Sequence, residues 1–382
     1  MFRPACRQVG IIAIRVLRNY KHMYIIVFII ILAILVLIHE LGHFLAAKKN
    51  GIRVEEFGFG FPPRVWGFKK GETLYSINLL PIGGFVKLFG EEYHEVGSGS
   101  KKKVDQKLMK RAFINKTPAQ KAFVIVAGVL GNFILAWILI SYLFTQGVPT
   151  PTDKVLVEKT TKNSPAELVN LQPGDQLTRI TVGAKMFQLR STEDLTYYSR
   201  KFAGKRVIFT IKSQGKEKNL MIIPRLSPPA GEGPLGLLIT SYEDKKYSWY
   251  QAPFYGLIHS FTITKTIVIE LGKTAFNFFT MKKAQVDVAG PIGIAQYTGQ
   301  AIKFGQNAVL ELMALLSLNL AVINILPFPA LDGGRLMFIL YEWVTKRRIN
   351  KNVERYVNMV GMGTLLFLAA AITIHDIIKL IK

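Results

Sequence analysis

The chain has 382 residues, of which 50% are hydrophobic, with a mean hydropathy of +0.26 and a formal net charge of +24. This composition is typical of a membrane protein with a substantial soluble part, and the single cysteine, Cys6, excludes an internal disulfide and a cysteine-rich metal site. The basic residues are spread along the chain without a zinc-finger or RNA-binding signature, which excludes nucleic acid as a partner and favours basic loops beside membrane helices.

The N-terminal residues 1–22 are basic and weakly amphipathic, and they lack a signal-peptide cleavage pattern. Met23 is followed at once by an apolar run that continues to Ile38. A run of this kind predicts a membrane-spanning helix over residues 23–47. We therefore hypothesise that the natural start is Met23 and that residues 1–22 are an extension that is not native.

The first predicted span ends in an H-E-x-x-H sequence, His39-Glu40-Leu41-Gly42-His43. Residues i and i+4 lie on one face of a helix, so His39 and His43 can present two imidazoles to one zinc ion. Glu40 then lies beside the metal, where it can act as a general base toward water. The alternative is an ordinary interfacial cap on a spanning helix. Ionisable residues at membrane depth usually mark function, so we favour hydrolysis at or inside the bilayer.

The rest of the chain predicts a multi-pass α-helical membrane protein with four spans, a membrane-associated β-loop and one inserted β-rich domain. Beyond the first span the predicted segments are a cytoplasmic or re-entrant β-loop region over 48–121, a second span over 122–146, the β-rich domain over 153–242, an interfacial amphipathic segment over 247–305, a third span with a Leu-Asp-Gly motif over 306–344 and a fourth span over 352–380. A fifth span within residues 250–279 is the alternative to the interfacial helix.

Charge patterning predicts the orientation of these spans. Four spans put both termini on one side of the membrane and the basic loops 48–121 and 341–352 on the other, which the positive-inside rule makes the cytoplasm. Basic residues within 1–22 oppose this assignment, and the Met23 hypothesis removes the conflict.

A third zinc ligand is predicted at the end of the third span. There Pro327 and Pro329 break the helix, and Gly333 and Gly334 free the backbone after Asp332. Non-helical backbone at membrane depth is tolerated where it lines a cavity, so Asp332 is a candidate oxygen ligand. Its alternative role is a helix N-cap.

At this point the chain resembles the site-2 protease family of intramembrane zinc proteases, in particular the bacterial regulators of the envelope stress response that carry a PDZ domain. The matching stretches are His39 to Phe44, Phe57 to Pro62, Tyr75 to Lys87, Ala127-Gly128 with Asn132-Phe133, Gly290 to Ile292 and Asn324 to Gly334. The β-rich insert, with Leu171 to Asp175, looks like a single PDZ domain. One departure is Val129, where the family commonly has proline.

The resemblance implies a multi-pass protein of the bacterial inner membrane, with its active site toward the cytoplasmic face and Zn²⁺ as its cofactor. It implies substrates that are single-pass membrane proteins already shortened by a first protease, such as an anti-sigma factor or a remnant signal peptide. It specifies no oligomeric state. The PDZ domain is expected to act as a size filter outside the cytoplasm.

Four further residues are candidates for substrate binding: Asn324, Asn132, Gly83 and Gly84. Asn324 can hydrogen-bond the substrate backbone or the developing oxyanion, although helix–helix hydrogen bonding is its alternative role. The two glycines belong to the segment Val54 to Phe89, which can offer a strand edge to an unwound substrate. A surface hairpin that only packs two spans is the alternative for this segment.

Two other function classes remain possible from the residues alone. A membrane-tethered PDZ adaptor with a structural metal site would need a fourth ligand, for which His94 is the candidate. A metal transporter would need ionisable residues repeated across several spans, and Glu311 alone does not meet that requirement.

Overall fold

The computed structural model describes residues 5–91, 106–229, 231–280, 290–347 and 349–381. They divide into two compact units, Met1–Leu143 with Tyr250–Lys382, and Phe144–Trp249. In chain order the elements are α1 (Ala5–Lys49), β1 (Val54–Lys70), β2 (Thr73–Leu88), α2 (Gln106–Met109), a 3₁₀ turn (Phe113–Asn115), α3 (Pro118–Gln146), β3 (Val148–Thr160), α4 (Pro165–Leu168), β4 (Gln176–Val182), β5 (Lys185–Gln188), α5 (Thr192–Lys201), β6 (Val207–Ser213), β7 (Lys216–Ile222), β8 (Leu237–Lys245), α6 (Ala252–Phe279), α7 (Pro291–Phe304), α8 (Gln306–Ile325), α9 (Asp332–Thr345) and α10 (Lys351–Ile381).

The described part of the chain contains four helices that are long and apolar enough to cross a membrane. These candidate spans are Met23–Lys49 within α1, Pro118–Gln146, Gln306–Ile325 and Asn352–Lys379 within α10. Their number agrees with the predicted fold class. Helix α6 is not among the four, and its position at the membrane interface stays a prediction.

Helices α1 and α3 approach closely because glycines remove side chains from the surface between them. A Cβ at Gly42 would lie 2.2 Å from the carbonyl oxygen of Ala127, and one at Gly131 would lie 2.8 Å from that of Ile38. Small residues allow membrane helices to pack through van der Waals contact at this range. The close contact brings the H-E-x-x-H segment of α1 against α3.

Strands β1 and β2 form a small sheet in which each strand contributes two segments. Residues 56–59 pair with 84–87 on one side and with 74–77 on the other, while 64–70 pair with 73–78. The segments 64–70 and 84–88 are therefore the two edges of this sheet. Gly60 permits the bend within β1, since its φ is +79° and a Cβ there would lie 2.4 Å from the Leu80 carbonyl oxygen.

The base of this sheet is fixed to the end of α1 by an apolar cluster and an ion-pair network. The buried cluster comprises Ala46, Ala47, Ile52, Val54, Leu88 and Val124. Beside it, Glu72 accepts hydrogen bonds of 2.7 and 2.6 Å from Arg111 and of 2.9 Å from Lys48. These two cations lower the pKa of the Glu72 carboxyl to about 2, so the network stays charged at neutral pH.

The third-span segment predicted over 306–344, with its helix break at the prolines, contains two helices. Helix α8 ends at Ile325, and α9 begins at Asp332 after the two prolines. The turn is tight, because a Cβ at Gly333 would lie 2.0 Å from the Leu326 carbonyl oxygen and one at Gly334 would lie 2.4 Å from that of Phe328. The glycines therefore allow α9 to start directly beside the end of α8.

The second unit is an antiparallel β domain with two short helices. Its sheet has the strand order β7-β6-β4-β3-β8, and β5 pairs with β4. The core is apolar, with Val155, Leu177, Ile180 and Phe209 each 0% exposed. Ser191 caps α5 in a reciprocal capping box with Asp194. This unit contains the segment 153–242 that the sequence predicts as a β-rich domain.

Candidate metal centre

The two histidines of the H-E-x-x-H motif lie on one face of α1, inside the first candidate span. His39 is 7% exposed and His43 is 9% exposed, and their ring centroids are 4.7 Å apart in an edge-to-face arrangement. The helical repeat places them one turn apart, as the spacing predicts. Both imidazoles are therefore withdrawn from solvent on the same side of the helix.

Asp332 meets these histidines from the start of α9. Its Oδ2 lies 2.9 Å from Nε2 of His39 and 3.2 Å from Nε2 of His43, and the two Nε2 atoms are 3.1 Å apart. The N-cap of α9 is Leu331, so Asp332 does not occupy the capping position that the sequence left open as its alternative role. Among the described residues these three form a cluster of potential metal ligands.

The dimensions and chemistry of the cluster fit zinc. Ligand atoms held tetrahedrally at roughly 2.0–2.1 Å from zinc lie about 3.3 Å from one another. The three distances here, from 2.9 to 3.2 Å, are close to that value. Two imidazole nitrogens and one carboxylate oxygen are also a donor set that catalytic zinc sites use. A cation relieves the repulsion between lone pairs that converge in this way.

Helix α3 orients His43 through its backbone. The Nδ1–H group of His43 donates to the Val124 carbonyl at 2.9 Å, so Nε2 carries the lone pair that faces Asp332. Gly128 makes room for the ring, since a Cβ there would lie 2.3 Å from His43 Nε2. The tautomer and position of His43 therefore depend on two residues outside the motif.

His39 is contacted by both asparagines that the sequence marks as candidates for substrate binding. Nδ2 of Asn132, on α3, lies 3.3 Å from His39 Nδ1, and Nδ2 of Asn324, near the end of α8, lies 3.4 Å from His39 Nε2. Asn132 is 0% exposed, whereas Asn324 is partly exposed. The asparagines thus approach opposite nitrogens of one ring.

The two glycine candidates have different neighbours. A Cβ at Gly84 would lie 3.2 Å from Cγ of Glu40, so Gly84 lets the edge segment pass directly beside this carboxylate. Gly83 has a φ of +87° and lies against the ring of Phe61. The structure therefore brings Gly84, but not Gly83, to the H-E-x-x-H motif.

A cavity of about 510 Å³ opens beside the cluster. It is bordered by residues of the metal cluster, the β2 edge, α3 and α9: His39, Glu40, His43, Phe85, Val86, Lys87, Leu88, Glu91, Val124, Ile125, Asp332 and Arg335. Glu91 follows β2 and forms an ion pair with Arg335, one turn after Asp332 on α9. Glu40, the candidate ligands and a strand edge thus share one cavity.

Comparison with known proteins identifies the family. The model for peptidase family M50 matches residues 27–368. This chain belongs to peptidase family M50.

Relatives of this M50 chain carry names that agree with the metal cluster. A protein of Clostridium acetobutylicum, provisionally named a zinc metalloprotease, is 32% identical over 355 residues, which cover 93% of this chain and 97% of the relative. Zinc metalloprotease RasP of Bacillus licheniformis is 31% identical, covering 93% and 99%. Regulator of sigma-W protease RasP of Bacillus subtilis is 30% identical, covering 93% and 98%. The chain is accordingly a membrane protein and a zinc metalloprotease.

The alternatives from the sequence find little support in this M50 protein. His94, the fourth ligand that a structural site would need, lies outside the described residues. The described residues contain no second metal-ligating cluster of the kind that a transporter with repeated sites would require. Glu311 is an exposed residue of α8 and belongs to no such cluster.

Sequence reasoning missed several residues of the site. The Val124 carbonyl has no sequence signal, because every residue carries one. Gly128 belongs to a stretch that carries the family resemblance, but the resemblance does not predict its contact with His43. The ion pair of Glu91 with Arg335 had a weak signal, namely a basic residue directly after Asp332-Gly-Gly.

Proposed function

We propose that this protease hydrolyses peptide bonds within the transmembrane segments of single-pass membrane proteins. The observation that carries the proposal is that the H-E-x-x-H motif lies inside a candidate span and meets Asp332 at the start of α9, directly after the break that follows another span. Ionisable groups at that depth are costly and are retained for function. A soluble substrate would not require a site within spanning helices.

The residues of the cavity have distinct proposed roles. His39, His43 and Asp332 hold the metal, and Zn²⁺ bound there supplies Lewis-acid polarisation of the scissile carbonyl and lowers the pKa of attacking water. Glu40 removes the proton from water and returns it to the leaving amine. Asn324, which is partly exposed beside His39, hydrogen-bonds the substrate backbone or the developing oxyanion.

The edge of β2 is proposed to hold the substrate in an extended conformation. A transmembrane helix satisfies its peptide groups internally, so it must unwind before attack. Residues 85–88 border the cavity, and this edge of the sheet carries no further strand among the described residues. Addition of the unwound segment as a strand would align it with Glu40 and replace its lost helical hydrogen bonds. Gly84 supports this role because it permits the strand to pass beside Glu40.

The second unit is proposed to be a PDZ domain outside the cytoplasm that excludes substrates with bulky extracytoplasmic domains. Its six-stranded antiparallel sheet with short helices supports this assignment, as does the family resemblance. The protein is proposed to lie in the inner membrane of a bacterium with its active site toward the cytoplasm. Its substrates are proposed to include an anti-sigma factor or remnant signal peptides. The name of the B. subtilis relative, a regulator of sigma-W protease, supports the first of these.

The proposal is tested with purified protein in liposomes and a single-span model substrate. Mass spectrometry of the products should locate the cut inside the span. Gly and Pro cost about 1 and 3 kcal/mol in a helix interior relative to Ala, so either residue at the middle of the span should speed cleavage. A span of only Leu and Ala is the matched slow substrate. Cuts confined to the soluble flanks, or rates that ignore helix propensity, would refute intramembrane cleavage after unwinding.

A further inference from the structure

Asn132 presents a buried polar group that the proposed mechanism does not use. The side chain is 0% exposed, and its Oδ1 has no hydrogen-bond partner among the described residues. An unsatisfied buried acceptor of this kind costs about 1–3 kcal/mol, so its retention requires a reason. Its backbone is held firmly, because the Ser317 hydroxyl of α8 donates to the Asn132 carbonyl at 2.8 Å.

His39 can provide the hydrogen-bond donor that Oδ1 of Asn132 lacks. If Nε2 of His39 gives its lone pair to a metal, the neutral ring carries its proton on Nδ1. Among the described residues, the polar group within reach of Nδ1 is the Asn132 amide, whose Nδ2 lies 3.3 Å away. In that arrangement the N–H of His39 Nδ1 faces the N–H of Asn132 Nδ2, and no hydrogen bond forms, since an amide nitrogen donates and does not accept. Rotating the amide by 180° exchanges Nδ2 for Oδ1 at nearly the same position.

We propose that Asn132 is a positioning residue that accepts a hydrogen bond from His39 Nδ1–H and so orients Nε2 toward the metal. The proposal rests on the assignment of His39 as a zinc ligand. It gives His39 the same kind of support that the Val124 carbonyl gives His43 at 2.9 Å. Both supports come from α3, two helical turns apart, so one helix fixes both histidines. Histidine ligands commonly require an acceptor at the second nitrogen.

This role differs from the substrate binding that the sequence suggests for Asn132. A side chain with 0% exposure, enclosed between α1, α3 and α8, cannot reach a substrate in the cavity. Asn324, which approaches the opposite nitrogen of His39 and is partly exposed, remains available for that task. The two asparagines are thus assigned different partners, one the metal ligand and the other the substrate.

The test measures zinc affinity of the detergent-purified full chain by competition with a fluorescent chelator. Asn132→Leu keeps the side-chain size but removes the acceptor, and it should weaken zinc binding by about 10- to 100-fold. Asn132→Asp keeps an acceptor and should bind zinc at least as tightly as the wild type. Ser317→Ala, which removes only the contact to the Asn132 backbone, is the matched control and should leave zinc affinity within about threefold. Thermal unfolding of each zinc-free variant shows whether it is folded.

The outcomes separate this proposal from the ligand assignment. Wild-type zinc affinity in a folded Asn132→Leu variant would overturn the positioning role. Equal losses in the Leu and Asp variants would also overturn it, because they would indicate packing rather than an acceptor. His39→Ala should abolish tight zinc binding. If it does not, the ligand assignment itself is wrong, whatever the Asn132 variants do.

Discussion

At the scale of single residues, Gly128 of α3 has no side chain, and this allows α3 to lie against the ring of His43. A Cβ at Gly128 would come within 2.3 Å of Nε2, the atom that faces Asp332. Contacts that short do not occur, so either the ring or the helix would have to move. The position of the metal ligand therefore depends on a glycine that takes no part in the chemistry.

Gly128→Ala should weaken zinc binding by tenfold or more and reduce cleavage in parallel, because the added methyl group displaces His43. Alanine is favoured over glycine in a helix interior by about 1 kcal/mol, so the loss would run against helix propensity. Zinc content after dialysis and the thermal midpoint are the measurements. Gly363→Ala in α10 is the control, since a Cβ there meets no heavy atom within 4 Å among the described residues. Unchanged zinc affinity in Gly128→Ala would show that the site tolerates the methyl group.

Some of these residues were predictable and others were not, for physical reasons. The spacing of His39 and His43 encodes their convergence, because the helical repeat alone places them on one face. Asp332 required the proline and glycine pattern around it together with the family resemblance. The roles of Gly128 and Val124 depend on the rotation and depth of α3 against α1. Apolar helix surfaces leave both of these quantities undetermined in a sequence.

At the scale of elements, the β2 edge and α9 converge on the cavity from two sides. Arg335 of α9 pairs with Glu91, three residues after the end of β2, and this ion pair holds the edge near the candidate ligand Asp332. Phe89 N–H donates to the Arg53 carbonyl next to β1. Since hydrogen bonding alternates along an antiparallel strand, the N–H of Val86 is directed away from β1, where a substrate strand would bind.

Proline at Val86 should slow cleavage of a transmembrane substrate at least tenfold without loss of zinc. Proline removes the outward N–H that the substrate strand would use but none of the bonds to β1. Val65→Pro, on the opposite edge of the same sheet, is the matched control and should cleave nearly as fast as the wild type. The initial cleavage rates and the zinc content of both variants test whether the substrate adds to the β2 edge. Equal rates for the two variants would remove the strand-addition step.

The pairing within the β1–β2 sheet could not be predicted from the sequence, whereas the four spans could. Apolar runs of sufficient length predicted four spans, since hydropathy over a window is a local property. The double pairing of residues 56–59 is not local, because it depends on the bend at Gly60 and on contacts some 20 to 30 residues away. The break between α8 and α9 is local by contrast, because it lies at Pro327 and Pro329.

At the scale of the whole molecule, the chain divides its tasks between two units. The candidate metal ligands, Glu40 and the β2 edge all belong to the unit formed by Met1–Leu143 with Tyr250–Lys382. The chain enters the second unit through β3 and leaves it through β8, and these strands are neighbours, since Pro151 of β3 pairs with Tyr242 of β8. The segment 153–242 can therefore be excised between residues that already lie side by side.

Deletion of residues 153–242 should leave zinc binding and cleavage of a short model substrate intact. It should increase cleavage of a substrate with a large extracytoplasmic domain, if this unit acts as a size filter. Rates for the long and short substrates, measured with the wild-type and deletion proteins, give the ratio to compare. Loss of all cleavage with zinc retained would mean that the unit is needed for catalysis or assembly.

The central claim is that Glu40 is the base beside a zinc ion held by His39, His43 and Asp332, and that this site cuts within membrane spans. The most direct test measures zinc content and cleavage of a single-span substrate in the same preparation of Glu40→Gln. We expect about one zinc per chain, as in the wild type, because Glu40 is not a ligand. Cleavage should fall by about 10²- to 10⁴-fold, the usual contribution of a general base. Substantial cleavage by a zinc-loaded Glu40→Gln protein, or loss of its zinc, would contradict the account.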